Sequence, residues 1–371
     1  MQVIHHPLLS PAPGTQRELV SLHYGTPGGA KAYIQASLHA DELPGMLVAH
    51  HLRQRLDALE AAGRIHGEIV LVPMANPIGL SQHLLHAHLG RFELTTGENF
   101  NRHYPEQTEA IARLVEPQLG DDARHNVAVL RQALRRAVLA APADTELQSL
   151  RRTLLGLSCD ADVVLDLHCD AQALMHLYTE TPCWPACEPL ARFLGARLTL
   201  LAQESGDSPF DEACSQVWWK WAEHFGQRFP IPQACLSVTV ELRGATDVTH
   251  ELAAQDAANI LDFLQWRGLI GGEPLTPPPA VGDARPLAGC MPIKAESAGV
   301  LTFLKQVGDT VRTGEVLAHV IDPVTGQVSE LTSPVDGLFF ARDFLRFAYA
   351  GMRVAKVAGR HALRSGKLLG A

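Results

Sequence analysis

His39 and Glu42 are separated by two residues in Ser37-Leu38-His39-Ala40-Asp41-Glu42, and far downstream the chain carries Asp166-Leu167-His168. Two imidazoles and one carboxylate are the ligand set of an open zinc site, which keeps a coordination position for water and so suits hydrolysis. The spacing alone is common: with eighteen histidines in the chain, about one His-x-x-Glu is expected by chance. There are two, but the other, His103 to Glu106, follows no apolar run and contains Pro105, which interrupts a helix. The first pair lies between Lys31 to His39, which reads as a buried strand, and a segment opened by Pro44. That segment repeats Leu47, Val48, His51, Leu52, Leu56 and Leu59 at helical spacing. A strand-to-helix turn holds both side chains rigidly. On local grounds His39 equally fits a hydrogen-bonded strand-end residue, and Glu42 a carboxylate favouring a helix N-terminus.

Hydrolysis at such a site also needs a base, an electrophilic partner for the oxyanion and a group that fixes the substrate. Glu241 ends the apolar run Cys235-Leu-Ser-Val-Thr-Val-Glu241, where a carboxylate takes a proton from water and returns it to a leaving amine. Asn101 and Arg102 offer a fork of donors to a substrate carboxylate, and Arg91 is placed to polarise a scissile carbonyl. Each also has an ordinary reading as a bonded strand end or a solvated polar side chain. His83, His86 and His88 suit a joint metal site poorly and are expected on an exposed His-rich helix.

These residues require elements to hold them. Strands are expected at 31–39, 67–73, 162–167, 174–179, 197–202 and 235–241, with helices at 44–61, 123–140, 145–157, 186–194, 212–225 and 248–267. The alternation predicts an α/β domain, a central sheet of mixed strand direction flanked by helices, over residues 1–270. A Pro/Gly-rich linker is expected at 271–284. From 285 to 371, glycine turns separate short β-type runs, which predicts a small all-β, barrel-like domain. Gly308 to Leu317 matches the Gly-Asp-x-Val-x-x-Gly-x-x-Leu signature of the biotinyl/lipoyl carrier fold, which this domain resembles. The following hairpin, Asp322 to Val328, lacks the lysine that carriers modify, so a scaffold or lid is expected rather than a carrier.

A chain of 371 residues, 46% hydrophobic and 19% charged with a net charge of −9, is globular and long enough for one large core and a smaller domain. No Lys/Arg stripe marks a nucleic-acid surface, and neither a secretory leader pattern nor an apolar membrane span is visible. A cytoplasmic location is expected, with no nucleic-acid or membrane partner; the sequence leaves homo-oligomer formation open. Seven scattered cysteines fit reduced core thiols rather than a disulfide framework.

Taken in order, His39-x-x-Glu42, Asn76-Pro77 with Gly79, Arg91, Asn101-Arg102, Asp166-Leu167-His168 and Thr239-Val240-Glu241 resemble the zinc carboxypeptidase superfamily. The likeness is nearer to its succinylglutamate desuccinylase and aspartoacylase branch, appended β domain included. The resemblance implies that His39, Glu42 and His168 bind one Zn²⁺ per chain and that Glu241 is general base and acid. It further implies that Asn101 and Arg102 hold a substrate carboxylate and that Arg91 stabilises the oxyanion. The chain departs from the family pattern in the longer stretch between Arg91-Phe92 and Asn101, in Arg243 two residues after Glu241, and in the extended helical stretch 107–158. Arg243 is expected to be either a substrate contact or a surface charge. The function expected is a zinc-dependent deacylase of small N-acyl amino acids or related amides. Its rivals are a metallocarboxypeptidase acting on peptides, with the same core residues, and a catalytically inactive binding module.

Overall fold

The computed structural model describes residues 1–369. It begins with an antiparallel hairpin, β1 (Gln2–Pro7) and β2 (Glu18–Gly25), followed by β3 (Lys31–Ala36), helix α1 (Pro44–Ala61) and β4 (Glu68–Val72). A short helix α2 (Pro77–Leu80) leads to a two-stranded ribbon, β5 (His83–Leu84) and β6 (Ala87–His88). Three helices follow, α3 (Thr108–Val115), α4 (Ala123–Ala140) and α5 (Glu146–Ser158), and then β7 (Val163–Asp170), β8 (Gln172–Ala173) and β9 (His176–Glu180). Next come α6 (Trp184–Leu194), β10 (Leu198–Ala202), α7 (Phe210–Phe225), β11 (Leu236–Gly244), α8 (His250–Trp266) and β12 (Asp283–Pro286).

Nine strands form one mixed sheet in the order β1-β2-β4-β3-β7-β11-β9-β10-β12. Its centre, β4-β3-β7-β11, is parallel, whereas β9 runs antiparallel to β11. Alternate residues of β3 face opposite layers, as strand geometry demands: Ala32, Ile34 and Ala36 join α1, α6 and α8, while Tyr33 joins α4, α5 and α7. The helical stretch 107–158 thus covers one sheet face together with Trp218 and Trp221 of α7. Burying each such large side chain contributes on the order of 2–3 kcal/mol. All seven cysteines are buried and free, and among the described residues no helix is long and apolar enough to cross a membrane.

The His-rich turn is not a helix. His83 pairs with His88 across the ribbon, their rings stacked with centroids 4.5 Å apart, and Leu85 and His86 take left-handed backbone angles that no helix accommodates. The β1–β2 hairpin, the short helix α2 and strand β12 fall outside the sequence expectation; β12 begins within the expected linker and adds to the edge of the large sheet beside β10.

Residues 290–359 add β13 (Cys290–Lys294), β14 (Gly299–Phe303), β15 (Thr310–Val311), β16 (Val316–Ile321), β17 (Val328–Thr332), β18 (Gly337–Arg342), β19 (Phe347–Ala348) and β20 (Arg353–Gly359). They form two antiparallel sheets, β13-β20-β18-β15 and β17-β16-β14-β19, around their own core. Strand β8 pairs with β18, Ala173 opposite Ala341. Phe340, Leu338 and Ala358 pack on Tyr178, Leu198 and Leu200 of the large sheet. The small β unit is therefore fastened beside the C-terminal ends of the parallel strands.

Candidate active site

His39, His168 and Glu241 come from adjacent parallel strands. His39 lies in the turn after β3, His168 near the end of β7, and Glu241 directly opposite His168 in the β7–β11 register. The C-terminal ends of parallel strands are where open α/β sheets bind ligands. Strand β11 continues past Glu241 to Gly244, with a register shift between them. Within that shift Arg243, at φ 66°, forms an ion pair with Asp256 of α8. Arg243 is thus neither a cavity residue nor a free surface charge; it ties β11 to its covering helix.

Two close approaches fix the turn that carries His39 and Glu42. Gly45, at the start of α1, lies where a Cβ would come 3.0 Å from Leu167 O, so the helix end sits directly on β7. Ala40 N donates to Gly90 O at 3.0 Å, and a Cβ on Gly90 would fall 2.2 Å from Asp41 N. That contact brings the following residue, Arg91, over the site, its Nη1 3.1 Å from Glu42 Oε1. The longer stretch after Arg91 closes on itself through a bridge between Phe92 and Asn99. Arg91 enters this loop and Asn99 leaves it, so both reach His39.

Both imidazoles turn Nδ1 toward Glu42, His39 at 2.9 Å and His168 at 2.8 Å. Asn99 Oδ1 also accepts from Asn101 N at 2.8 Å, which identifies it as the oxygen of that amide. Lying 2.9 Å from His39 Nε2, it places the ring proton there and leaves Nδ1 as a lone pair. Burial, then the Arg91 guanidinium, push the His39 pKa down to about 4, so the ring is neutral at neutral pH. The Nδ1 lone pair faces the Glu42 carboxylate with Arg91 Nη1 3.2 Å from Nδ1, so positive charge already sits at this junction, where a lone pair and a carboxylate oxygen otherwise repel. His168 has Asp166 Oδ2 2.8 Å from its Nε2, off the line of a good hydrogen bond, and Gln35 holds the other Asp166 oxygen at 2.9 Å. Burial opposes charge on His168, but Asp166 and Glu42 outweigh it and raise its pKa. The three ligand atoms lie within 4.8 Å of one another, each imidazole backed by an outer acceptor, as in metal-binding histidines. The donor set fits a divalent cation of the zinc type.

Glu241 Oε2 is buried without a hydrogen-bond partner among the described residues. Burial and the nearby Glu42 charge push its pKa up to about 8; a cation at Glu42 offsets the second cause. The site opens into a cavity of about 670 Å³, lined by His39, Glu42 and His168, by the start of α7, and by the small β unit through Arg342, Phe344, Arg353 and Lys356. Asn101 and Arg102 also line it and are buried, but Asn101 Oδ1 is occupied, accepting from Phe210 N at 2.8 Å and capping α7. Arg102 lines the cavity beside it, its guanidinium donating to the Asn101 carbonyl at 2.6 Å. Sequence reasoning passed over Asn99, Ser205, Asp211, Glu212 and Lys356, all of which reach the site or its cavity. The adjacent acids after Pro209 carried a local signal, but one that equally marks the first turn of any helix.

The chain matches the model of the succinylglutamate desuccinylase/aspartoacylase catalytic domain over residues 28–139. It is 25% identical over 341 residues to the N-alpha-acetyl-L-2,4-diaminobutyric acid deacetylase of Halomonas elongata, covering 89% of this chain and 82% of that protein. A family protein from Shewanella amazonensis superposes with a TM-score of 0.84 at 27% identity, over 96% of this chain and 98% of that one. Another from Shewanella frigidimarina gives 0.85 at 25% identity, over 96% of both chains. In the order of its site residues, in its sheet topology and in these matches, the chain is similar to the succinylglutamate desuccinylase/aspartoacylase family.

Proposed function

We propose that the protein is a zinc-dependent deacylase that hydrolyses the amide bond of a small N-acyl amino acid. The observation that carries this reading is the convergence of the His39 and His168 Nδ1 atoms on Glu42, with Glu241 opposite His168 and all four facing one cavity. His39, Glu42 and His168 would hold one zinc ion per chain. A divalent ion there supplies Lewis-acid polarisation and makes water acidic near neutral pH.

The remaining work falls to the chain. Glu241 accepts the proton of the attacking water at its unpartnered Oε2 and returns it to the departing amine nitrogen. Arg91, partly exposed above Glu42, presents donors to the oxygen on which negative charge develops. Arg102 holds the carboxylate of the amino-acid half, its guanidinium steadied by a hydrogen bond to the Asn101 carbonyl, while the Asn101 side chain fixes the first turn of α7. A cavity of this volume suits a small ligand. The Halomonas elongata relative, named as an acetyl-diaminobutyric acid deacetylase, supports an acyl amino acid over a peptide.

The test is hydrolysis of matched panels of N-acetyl, N-succinyl and N-formyl amino acids and of short peptides by the zinc-loaded protein. Turnover of acyl amino acids is expected. Cleavage of peptides alone would transfer the same residues to a carboxypeptidase, and absence of both zinc and turnover would leave a binding protein.

A further inference from the structure

The small β unit turns its β13-β20-β18-β15 sheet toward the large sheet, while the β17-β16-β14-β19 sheet keeps an outer face open to solvent. An antiparallel sheet solvated on one face normally alternates apolar residues inside with polar residues outside. Leu301, Val320 and Ala348 point into the core as that pattern requires, yet the neighbouring outward positions are apolar as well. The register sets Phe347 opposite Val300, Val300 opposite Ile321 and Ile321 opposite Val328. Directly opposite residues share a face, so one apolar row crosses all four strands. Phe347 is 62% exposed, Val328 50% and Val300 45%, with Ile321 half-buried between them. Tyr349, two residues beyond Phe347, and Val324, in the turn joining β16 to β17, are also exposed and extend the patch at the same end of the sheet. One row further along, Thr302, His319 and Glu330 form its polar border. A contiguous apolar patch rimmed by polar residues marks an interaction surface.

We propose that two copies of this chain associate through that face, about a two-fold axis that runs along the strands between β14 and β16. Such a rotation keeps strand direction and reverses strand order, the aligned stacking that two sheets favour. Phe347 then meets the partner's Val328 and Val300 meets the partner's Ile321, and the same two contacts recur on the other side of the axis. Each aromatic ring faces a β-branched side chain, and no charge faces another within the row. A partner of different sequence would have to be matched to this row, whereas the row already matches itself, as an isologous contact requires. The area agrees. Four strands about 4.8 Å apart give a face about 20 Å wide, and two such faces hide on the order of 1,200 Å² in total, the lower end of specific interfaces. A dimer that separates on dilution in roughly the micromolar range follows. The cavity is lined on the small-unit side by β13, β18 and β20 of the other sheet, so both sites stay open in the pair. The inference is independent of the reaction that the cavity performs.

The test is sedimentation of the full chain over about 0.1–100 μM, the range that brackets a micromolar dimer, for the wild type, Phe347→Asp and Val328→Lys. The wild type is expected to pass from monomer to dimer across that range, and each variant to raise the dissociation constant by about tenfold or more. Both positions are exposed, so the fold is expected to survive, which far-UV circular dichroism checks. Because the axis sets residue 347 of one copy against residue 328 of the other, an equimolar mixture of the two variants places opposite charges together. That mixture is expected to associate about tenfold more tightly than either variant alone. A wild type that stays monomeric throughout overturns the proposal and leaves the face to a partner of another sequence. A dimer that neither substitution weakens, or a mixture that associates no better than its components, overturns it as well. Should one variant fail to fold, Val300→Lys, at the centre of the same row, carries the same expectation of weaker association.

Discussion

At the scale of single residues the account rests on what each side chain does to its neighbour. Glu241 is the only described carboxylate both opposite His168 and without a partner for one oxygen, so Glu241→Gln should lower kcat by roughly 10²–10⁴-fold while zinc content stays unchanged. Loss of zinc in that variant would instead make Glu241 a ligand. Asp166 never faces the cavity, yet it backs His168. Asp166→Asn is expected to weaken zinc affinity by about 10–100-fold, measured by competition with a chromophoric chelator; unaltered affinity would reduce it to a core residue. The clustering of His39, Glu42 and His168 was legible from the sequence because strand-end spacing and motif order place such side chains together. Asn99, Ser205, Asp211 and Glu212 were not, since they reach the site or its cavity only when a loop closes or a helix start meets a distant strand.

Elements explain why those atoms meet. The Gly90 backbone rests on Ala40 and Asp41, and the obstruction to a Cβ there is itself backbone, which cannot swing aside. Gly90→Ala should displace Arg91 and the His39–Glu42 turn together, lowering kcat/KM by about 10²-fold and zinc affinity with it. A variant of wild-type activity would show that the turn is held by other contacts. The main strands and helices were readable because each carries a long apolar period. The ribbon at His83–His88 was not: Leu85 and His86 adopt left-handed angles without the glycine or asparagine that would announce a turn. The β1–β2 hairpin was missed for a related reason, its edge strand β1 being largely exposed and so weakly patterned.

For the whole molecule, the small β unit is part of the site rather than an appendage, since it lines the cavity and buries His176 between Tyr178 and Phe340. Burial pushes the His176 pKa down to about 4 from its usual 6.5. The ring therefore stays neutral in the folded protein at pH values where it would already be protonated in the unfolded chain. The stability linked to it is complete above about pH 6.5 and is lost as pH falls toward 4, by about 2 kcal/mol between pH 7 and pH 5. His176→Phe should remove that part of the acid sensitivity in urea titrations at the two pH values; an unchanged difference would mean that the ring is already protonated or exposed. The carrier-like glycine rhythm foretold β structure from residue 298 onward, but nothing in it foretold that β18 would pair with β8 and bring Arg342 to the cavity.

The central claim, that His39, Glu42 and His168 bind the ion on which Glu241-assisted hydrolysis depends, is tested most directly by metal reconstitution. Chelator-stripped protein is titrated with zinc while hydrolysis of the best acyl amino acid is followed. The account predicts no turnover without metal and a linear rise that breaks at one zinc per chain, with His168→Ala showing neither binding nor turnover in the same range. Full activity in the stripped protein, or a break that persists unchanged in His168→Ala, would contradict it.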